Sequence, residues 1–263
     1  MSLRIGGTGV PYPASAVSGQ HEGFVPMYVE AVTVCVGFAD VLRETLPWNV
    51  QQVDRLVVVT SFEDEETQKL CTYHGVSCLT TDVFTEDADA FNKGRAINLG
   101  LSHLRHRGYL LHMDADIALP DRFRNRLADA RLQEDSIYGS DRVNATWDQW
   151  QKFKKSDDPQ WRYHYLLCSP PGSIGARLVH YDHGYVPIGF FQLWHASAKR
   201  VYPIIAGGAD HSDVMFGVQW PRSKRHLLPE IVCLHLVGEG STFGVNWRGR
   251  VSPRFGPKKK KNS

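Results

Sequence analysis

Two aspartates one residue apart, Asp114 and Asp116, close an apolar run, Tyr109-Leu110-Leu111-His112-Met113. Carboxylates at a strand end can aim their oxygens at one divalent cation, Mg²⁺ or Mn²⁺, which favours hard oxygen donors and can also take phosphate oxygens. Such a cation would neutralise the charge that develops on a departing diphosphate. The spacing alone is common, since a chain of this size contains about one such tripeptide by chance. Asp87-Ala88-Asp89 is an identical copy. It follows Thr85-Glu86 in a polar stretch with no apolar strand before it, and reads as solvated or helix-capping. Asp114 and Asp116 stand where a strand delivers them, ahead of Ile117-Ala118-Leu119-Pro120. The bland alternative there is a capped turn leading into a helix after Asp121.

The elements that would hold this pair are readable upstream. Val32-Thr33-Val34-Cys35-Val36 and Arg55-Leu56-Val57-Val58-Val59-Thr60 are continuous β-branched runs, the pattern of buried parallel strands. Residues 40–46 between them suit a short helix stopped by Pro47. Residues 63–74 suit a helix with an acidic first turn and Gly75 just past its end, with a third strand over 76–79. Asn92 can cap a helix whose apolar face carries Ile97, Leu101 and Leu104, ended by Gly108. Strands alternating with helices predict a parallel, doubly wound sheet, in which ligands sit beyond the carboxyl ends of strands. The second half is less regular. Residues 137–142, 184–195 and 231–237 contain strand-like runs among aromatic, Gly-rich and Pro-rich stretches, with few clear helices.

The chain has 263 residues, 42% of them hydrophobic and 22% charged, enough for one large domain with an ordinary core. Thirty Lys and Arg against 28 Asp and Glu give a net charge of +2. Seven of the basic residues, and no acidic ones, lie in residues 248–263 (Arg248, Arg250, Arg254 and four lysines from Lys258). The remainder is therefore mildly acidic, which argues against nucleic-acid binding over the whole surface and leaves a basic arm. Five scattered cysteines without a Cys-x-x-Cys pair support neither a disulfide framework nor a structural zinc. No apolar run is long enough for a membrane span, and residues 1–13 lack an apolar signal core, so the expectation is a cytoplasmic protein without an integral membrane segment. Gly6-Gly7-Thr8-Gly9 is no phosphate loop, as no Gly-Lys-Ser/Thr follows it.

From residue 30 to about 255 the chain resembles glycosyltransferases of the GT-A fold, and is most similar to family 2. The residues that carry this are the strand pair, Thr60-Ser61-Phe62-Glu63-Asp64, Phe91-Asn92-Lys93-Gly94-Arg95-Ala96-Ile97-Asn98 and His112-Met113-Asp114-Ala115-Asp116. Gly189-Phe190-Phe191-Gln192-Leu193-Trp194-His195, Ser212-Asp213-Val214-Met215-Phe216, His235-Leu236 and Asn246-Trp247-Arg248-Gly249-Arg250 continue the order. The resemblance implies a Rossmann-like central sheet with helices on both faces. It divides the chain into an irregular arm (1–26), a single catalytic domain (27–255) and a basic tail (256–263). Residues 27–120 would bind the nucleotide sugar, and 121–255 would form an irregular acceptor half.

The resemblance also implies site roles. Asp114 and Asp116 would hold a divalent cation and the sugar diphosphate, with His235 as an extra metal ligand that favours Mn²⁺ over Mg²⁺. An inverting transferase needs a carboxylate base. Asp213 is preferred over Asp210, although Ala209 stands where the family often has Glu. Thr60, Ser61, Asp64, Lys93, Arg95, Ala115, Trp247 and Arg250 would contact the nucleotide sugar. Gln192, Trp194 and His195 would line the acceptor side. The donor would be a nucleoside-diphosphate sugar, most commonly UDP-linked. The acceptor would be a saccharide or a hydroxymethylated base in DNA, the second compatible with the basic tail, as in phage-type enzymes. Two other classes remain. A nucleotidyltransferase usually has a basic Gly-rich loop after the first strand, which Val36-Gly37-Phe38-Ala39-Asp40 lacks. A non-catalytic nucleotide-binding protein could use the same scaffold.

Overall fold

The structure, a computed structural model, describes residues 27–84, 92–156, 179–180, 184–205 and 211–236. Its strands are β1 (Val29–Val34), β2 (Arg55–Thr60), β3 (Ser77–Thr80), β4 (Tyr109–Met113), β5 (Ile117–Ala118), β6 (Ile137–Ala145), β7 (Val179–His180), β8 (Gly184–Tyr185), β9 (Phe191–His195) and β10 (Arg225–Leu236). The α-helices are α1 (Ala39–Asn49), α2 (Glu65–Tyr73), α3 (Lys93–Ser102), α4 (Phe123–Asp129), α5 (Trp147–Lys155) and α6 (His211–Gly217).

Eight strands form one sheet in the order β3-β2-β1-β4-β9-β6-β10-β5, while β7 and β8 pair separately. β3, β2, β1 and β4 are mutually parallel, as the β-branched runs predict. The sheet as a whole is mixed, because β9 runs antiparallel to both β4 and β6, and β5 runs antiparallel to β10. Two reversals leave β6 and β10 pointing the same way as β4. The carboxyl ends of β1, β2, β4, β6 and β10 therefore open on a single edge, and β9 starts from it.

The period of two divides the apolar side chains between two faces. Leu56, Val58, Leu111, Met113, Phe191 and Leu193 pack with Leu42 and Leu46 of α1, Leu70 and Cys71 of α2, and Phe123 and Leu127 of α4. Val32, Val57, Val59, Leu110 and Trp194 pack with Ala96, Ile97 and Leu101 of α3, Tyr202, and Phe216 of α6. Helices thus cover both faces of the sheet.

Local chemistry explains most element ends. The Asp64 side chain caps α2 at the Thr67 amide, 3.1 Å, and Asn92 caps α3 at the Arg95 amide, 3.1 Å. Each cap contributes on the order of 1 kcal/mol. Gly75, at φ +64°, ends the turn after α2.

Other ends differ from the sequence reading. α1 runs through Pro47 to Asn49, because the Trp48 indole donates to Leu119 O (2.7 Å) and the Asn49 side chain is bonded beyond it. Tertiary contacts override the helix-stopping tendency of proline. α3 ends at Ser102, well short of Gly108. α5, in the half expected to hold few helices, starts on a capping box: Gln149 N donates to Thr146 Oγ1 and Thr146 N to Gln149 Oε1. β10 begins six residues before the expected 231 and carries a register shift between Leu228 and Val232. No helix among the described residues is long and apolar enough to cross a membrane.

Candidate functional site

After β4 the chain makes a tight turn, with the Ile117 amide donating to Asp114 O (3.2 Å), and reverses into β5. β5 pairs with β10, Ile117 opposite His235, and the Leu236 amide donates to Asp116 O at 2.8 Å. This short ladder brings Asp116 beside His235 across 119 residues of sequence. α1 clamps the turn from below. Thr45 Oγ1 donates to Ala115 O (2.6 Å), Asn49 Nδ2 donates to Ile117 O (2.7 Å), and Asn49 Oδ1 accepts from the Leu119 amide (3.0 Å). Thr45 and Asn49 are both buried. They are positioning residues that no motif indicated.

Asp116 Oδ2 lies 3.2 Å from His235 Nε2, and His235 Nδ1 lies 2.9 Å from Asn144 Oδ1 at the end of β6. Asp116 Oδ1 is buried with no hydrogen-bond partner. Burial alone would raise the Asp116 carboxyl, but His235, Arg142 and Lys93 outweigh it and hold it below the ordinary value. Asp114 Oδ1 instead meets Lys93 Nζ at 2.5 Å. Lys93 begins α3, and burial would lower its pKa; Asp114, Asp213 and Asp116 together keep it raised.

Asp213, in the first turn of α6, faces the same group of charges. Its Oδ2 accepts from the Gly189 amide (2.6 Å) and its Oδ1 from the adjoining Val214 amide (2.8 Å). A Cβ on Gly189 would sit 2.6 Å from Asp213 Oδ2, so this approach requires glycine. Burial raises the Asp213 carboxyl above its usual range, with Asp114 adding to it and Lys93 opposing it. A carboxylate of raised proton affinity suits general-base work.

A buried polar chain lies beneath Asp213. Gln192 Nε2 donates to Pro187 O (2.8 Å) and to Asp213 O (2.9 Å). The Tyr202 hydroxyl donates to Gln192 Oε1 and so accepts from His112 Nδ1, 3.0 Å away. This fixes His112 as the Nδ1–H tautomer. Burial and the Lys93 charge hold its pKa well below normal, so the ring is neutral.

Of the three expected metal ligands, the structure brings two face to face. Asp116 and His235 offer oxygen and imidazole donors 3.2 Å apart, close to the roughly 3 Å between neighbouring donors of an octahedral ion with bonds near 2.1 Å. Asp116 Oδ1, buried and without a hydrogen-bond partner, has room for a further ligand. Among the described residues, however, no three His, Cys, Asp or Glu side chains converge as a metal-binding group. Asp114 is engaged with Lys93 instead.

Several other expected roles are corrected. Trp194 is fully buried, its ring 4.8 Å from Phe216, and offers no face to an acceptor. Gln192 is likewise buried, which leaves it a supporting part under Asp213. His195 pairs with Tyr109 at the start of β4, about 13 Å along the strand from the Asp114 end. There its Nδ1 lies 2.7 Å from Ser197 Oγ and 3.4 Å from Glu134 Oε2, away from Asp114 and Asp116.

Asp64 does not have a free carboxylate for a nucleotide. Beside its cap, Oδ2 accepts from Gly37 N (2.8 Å), Thr60 Oγ1 (3.1 Å) and Thr67 Oγ1 (2.7 Å). It ties the loops after β1 and β2 together. Thr60 is buried, Ser61 half-buried at the same strand edge. Arg95 is half-buried in the first turn of α3, and the Ala115 carbonyl is taken by Thr45. Asp210, Trp247, Arg250 and the Asp87/Asp89 copy lie outside the described residues.

No family model matches the chain, and no curated protein matches it significantly. Among solved structures it is similar to a mycobacterial protein at 13% identity and TM-score 0.45, over 82% of this chain and 72% of the other. Glucosyl-3-phosphoglycerate synthase from Mycobacterium tuberculosis with phosphoglyceric acid gives 13% and 0.42, over 80% and 72%. The same enzyme with Mn²⁺, uridine diphosphate and phosphoglyceric acid gives 12% and 0.43, over 80% and 70%. Likenesses this distant do not carry a function to this chain.

Proposed function

We propose that the chain is a GT-A type glycosyltransferase that moves a sugar from a nucleoside-diphosphate sugar to an acceptor hydroxyl. The observation that supports this most is the meeting of Asp116 with His235, beside Asp114, at the strand edge where an α/β sheet binds ligands. The donor nucleotide would lie over the loops joined by Asp64, with Thr60 and Ser61 at their edge. Asp116, His235 and Asp114 would hold a divalent cation that neutralises the leaving diphosphate, and the imidazole donor favours Mn²⁺.

Asp213 would take the proton of the acceptor hydroxyl; each of its oxygens accepts one backbone N–H, Oδ2 from Gly189 and Oδ1 from Val214, which leaves lone pairs to receive it. Direct displacement with that base inverts the anomeric centre. Lys93 adds positive charge near the phosphates. The acceptor would be a saccharide or a hydroxymethylated base in DNA. The seven basic residues of 248–263 support the second, for which binding should weaken steeply with salt.

The test is a thermal-shift panel of UDP, GDP, CDP, ADP and TDP, each with and without Mn²⁺ or Mg²⁺. The panel would be repeated with Asp114→Ala and Asp116→Ala. Ligand at 100 times Kd adds about 2.7 kcal/mol of stability. Stabilisation by one nucleotide, dependent on metal and lost in both variants, is expected. If no nucleotide stabilises the protein, or both variants respond like wild type, the reading fails.

A further inference from the structure

Lys93 is more deeply placed than the carboxylate it touches. Its side chain is 14% exposed, that of Asp114 32%, and Nζ stands 2.5 Å from Asp114 Oδ1. Asp114 is the carboxylate in contact with this ammonium, and the charges of Asp213 and Asp116 add to the field that keeps it protonated. The backbone under it is closely packed. A Cβ on Gly94 would already lie 2.3 Å from Pro203 O, and the Asn92 cap fixes the first turn of α3.

The acidic group is thus divided. Asp116 and His235 face each other, while Asp114 is drawn to a cation that the chain supplies itself. Lys93 on Asp114 Oδ1 repels a divalent ion approaching the same carboxylate, so the ion takes Asp114 less readily while the ammonium stays there. A diphosphate changes this balance: it offers Lys93 another anionic partner and offers the metal two more oxygens.

We propose that Lys93 is a built-in counter-ion that withholds Asp114 from the divalent cation until a diphosphate draws the ammonium away, so that nucleotide and cation bind cooperatively. This rests on the function proposed above and adds an order to it. Metal alone meets two protein donors and binds weakly. Metal with nucleotide gains Asp114 as well. By linkage, the metal strengthens nucleotide binding by the same factor.

Mn²⁺ titration followed by electron paramagnetic resonance tests this without turnover. The loss of free-ion signal is measured with Mn²⁺ alone and with each of the five nucleoside diphosphates, against protein-free blanks. Wild type should bind Mn²⁺ at least tenfold more tightly with the effective nucleotide than without it. Lys93→Gln, whose amide can still donate to Asp114, should bind Mn²⁺ alone about tenfold more tightly than wild type, and gain less from nucleotide. Lys93→Arg keeps the charge and should behave as wild type with Mn²⁺ alone.

Asp114→Asn supplies a second reading that does not depend on the folding of the lysine variants. It should weaken Mn²⁺ binding far more with nucleotide than without it, the two losses differing by about tenfold. If wild type shows nucleotide-dependent Mn²⁺ binding but Asp114→Asn weakens both conditions equally, or folded Lys93→Gln binds Mn²⁺ alone no better than wild type, the counter-ion role is overturned and the transferase reading stands. If wild type binds Mn²⁺ with none of the nucleotides, the transferase reading falls and the counter-ion role with it.

Discussion

Replacing Asn49 with Ala tests whether α1 holds the Asp114–Asp116 turn as described. Both ends of this buried amide are used, by Ile117 O at 2.7 Å and by the Leu119 amide at 3.0 Å. Losing two hydrogen bonds costs about 1 kcal/mol each, and the backbone groups left unpaired in a buried place add to this. The expected destabilisation is about 3 kcal/mol. For a chain of this size each kcal/mol lowers Tm by roughly 2–4 °C, so a drop of about 6–12 °C is expected. Gln51→Ala is the control. Gln51 lies just beyond the same helix, exposed, and its Nε2 donates only to Pro47 O; surface changes of this kind stay within about 0.5 kcal/mol. Thermal unfolding of the three proteins by circular dichroism gives the comparison, and the nucleotide–Mn²⁺ shift should shrink in Asn49→Ala alone. If Asn49→Ala melts with Gln51→Ala, the clamp does not exist as an energetic unit.

Three further outcomes follow from the same geometry. Asp213 ionises only above the ordinary carboxylate range because it is buried. Transfer should therefore rise as pH increases through that raised value, and Asp213→Asn should lower kcat by about 10²–10⁴-fold with the rise abolished; a variant that keeps the pH profile removes Asp213 as base. Gly189→Ala would press a methyl group against Asp213 Oδ2, so a loss of about 1–3 kcal/mol in urea unfolding is expected, and wild-type stability would refute the contact. Cys35 and Cys233 are buried, and burial pushes both thiols up to about 12. Peptide mapping after iodoacetamide at pH 8 should find both unmodified in the native protein and modified in urea; rapid native labelling would show that these strands are not packed as described.

The first half of the fold was legible because its signals are local. Continuous Val runs, the Asn92 cap and Gly75 each mark an element without help from distant residues, whereas Asp64, expected at the nucleotide, is the cap of α2. Pro47 misled because the contacts that carry α1 past it, from Trp48 and Asn49 to residues 117–119, are seventy residues away. The helix at Trp147 could have been found, since Thr146-x-x-Gln149 is a capping-box pattern followed by Trp150 and Phe153 on one face.

In the site, Asp114, Asp116, Asp213 and His235 were reached through motif order. Their partners were not. Asn144 matters because of strand order and Tyr202 because the stretch after β9 folds back onto Asn98 and His112, and no spacing encodes either. Trp194 went the other way. Alternation puts it on the same face as Gln192, and only the placement of α6 over that face shows it to be core. Thr45 and Asn49 did leave a trace, as two polar residues four apart on the buried side of a helix.

The reversed strand β9 has a consequence for biosynthesis. It lies between β4 and β6, so the edge of β4 at Tyr109–Met113 has no partner until residues 191–195 have been made. Nearly eighty residues separate the end of one strand from the start of the other, and at ribosomal rates of about 5–20 residues per second that gap lasts roughly 4–16 s. Throughout it, a nascent chain with four parallel strands presents Tyr109, Leu110 and Leu111 on an open, apolar margin, the kind of surface on which chains pair wrongly. Chaperone capture, pausing and misassembly during synthesis should therefore concentrate in the interval between these two strands, and coexpressed holdases should raise soluble yield most for variants that slow the arrival of β9.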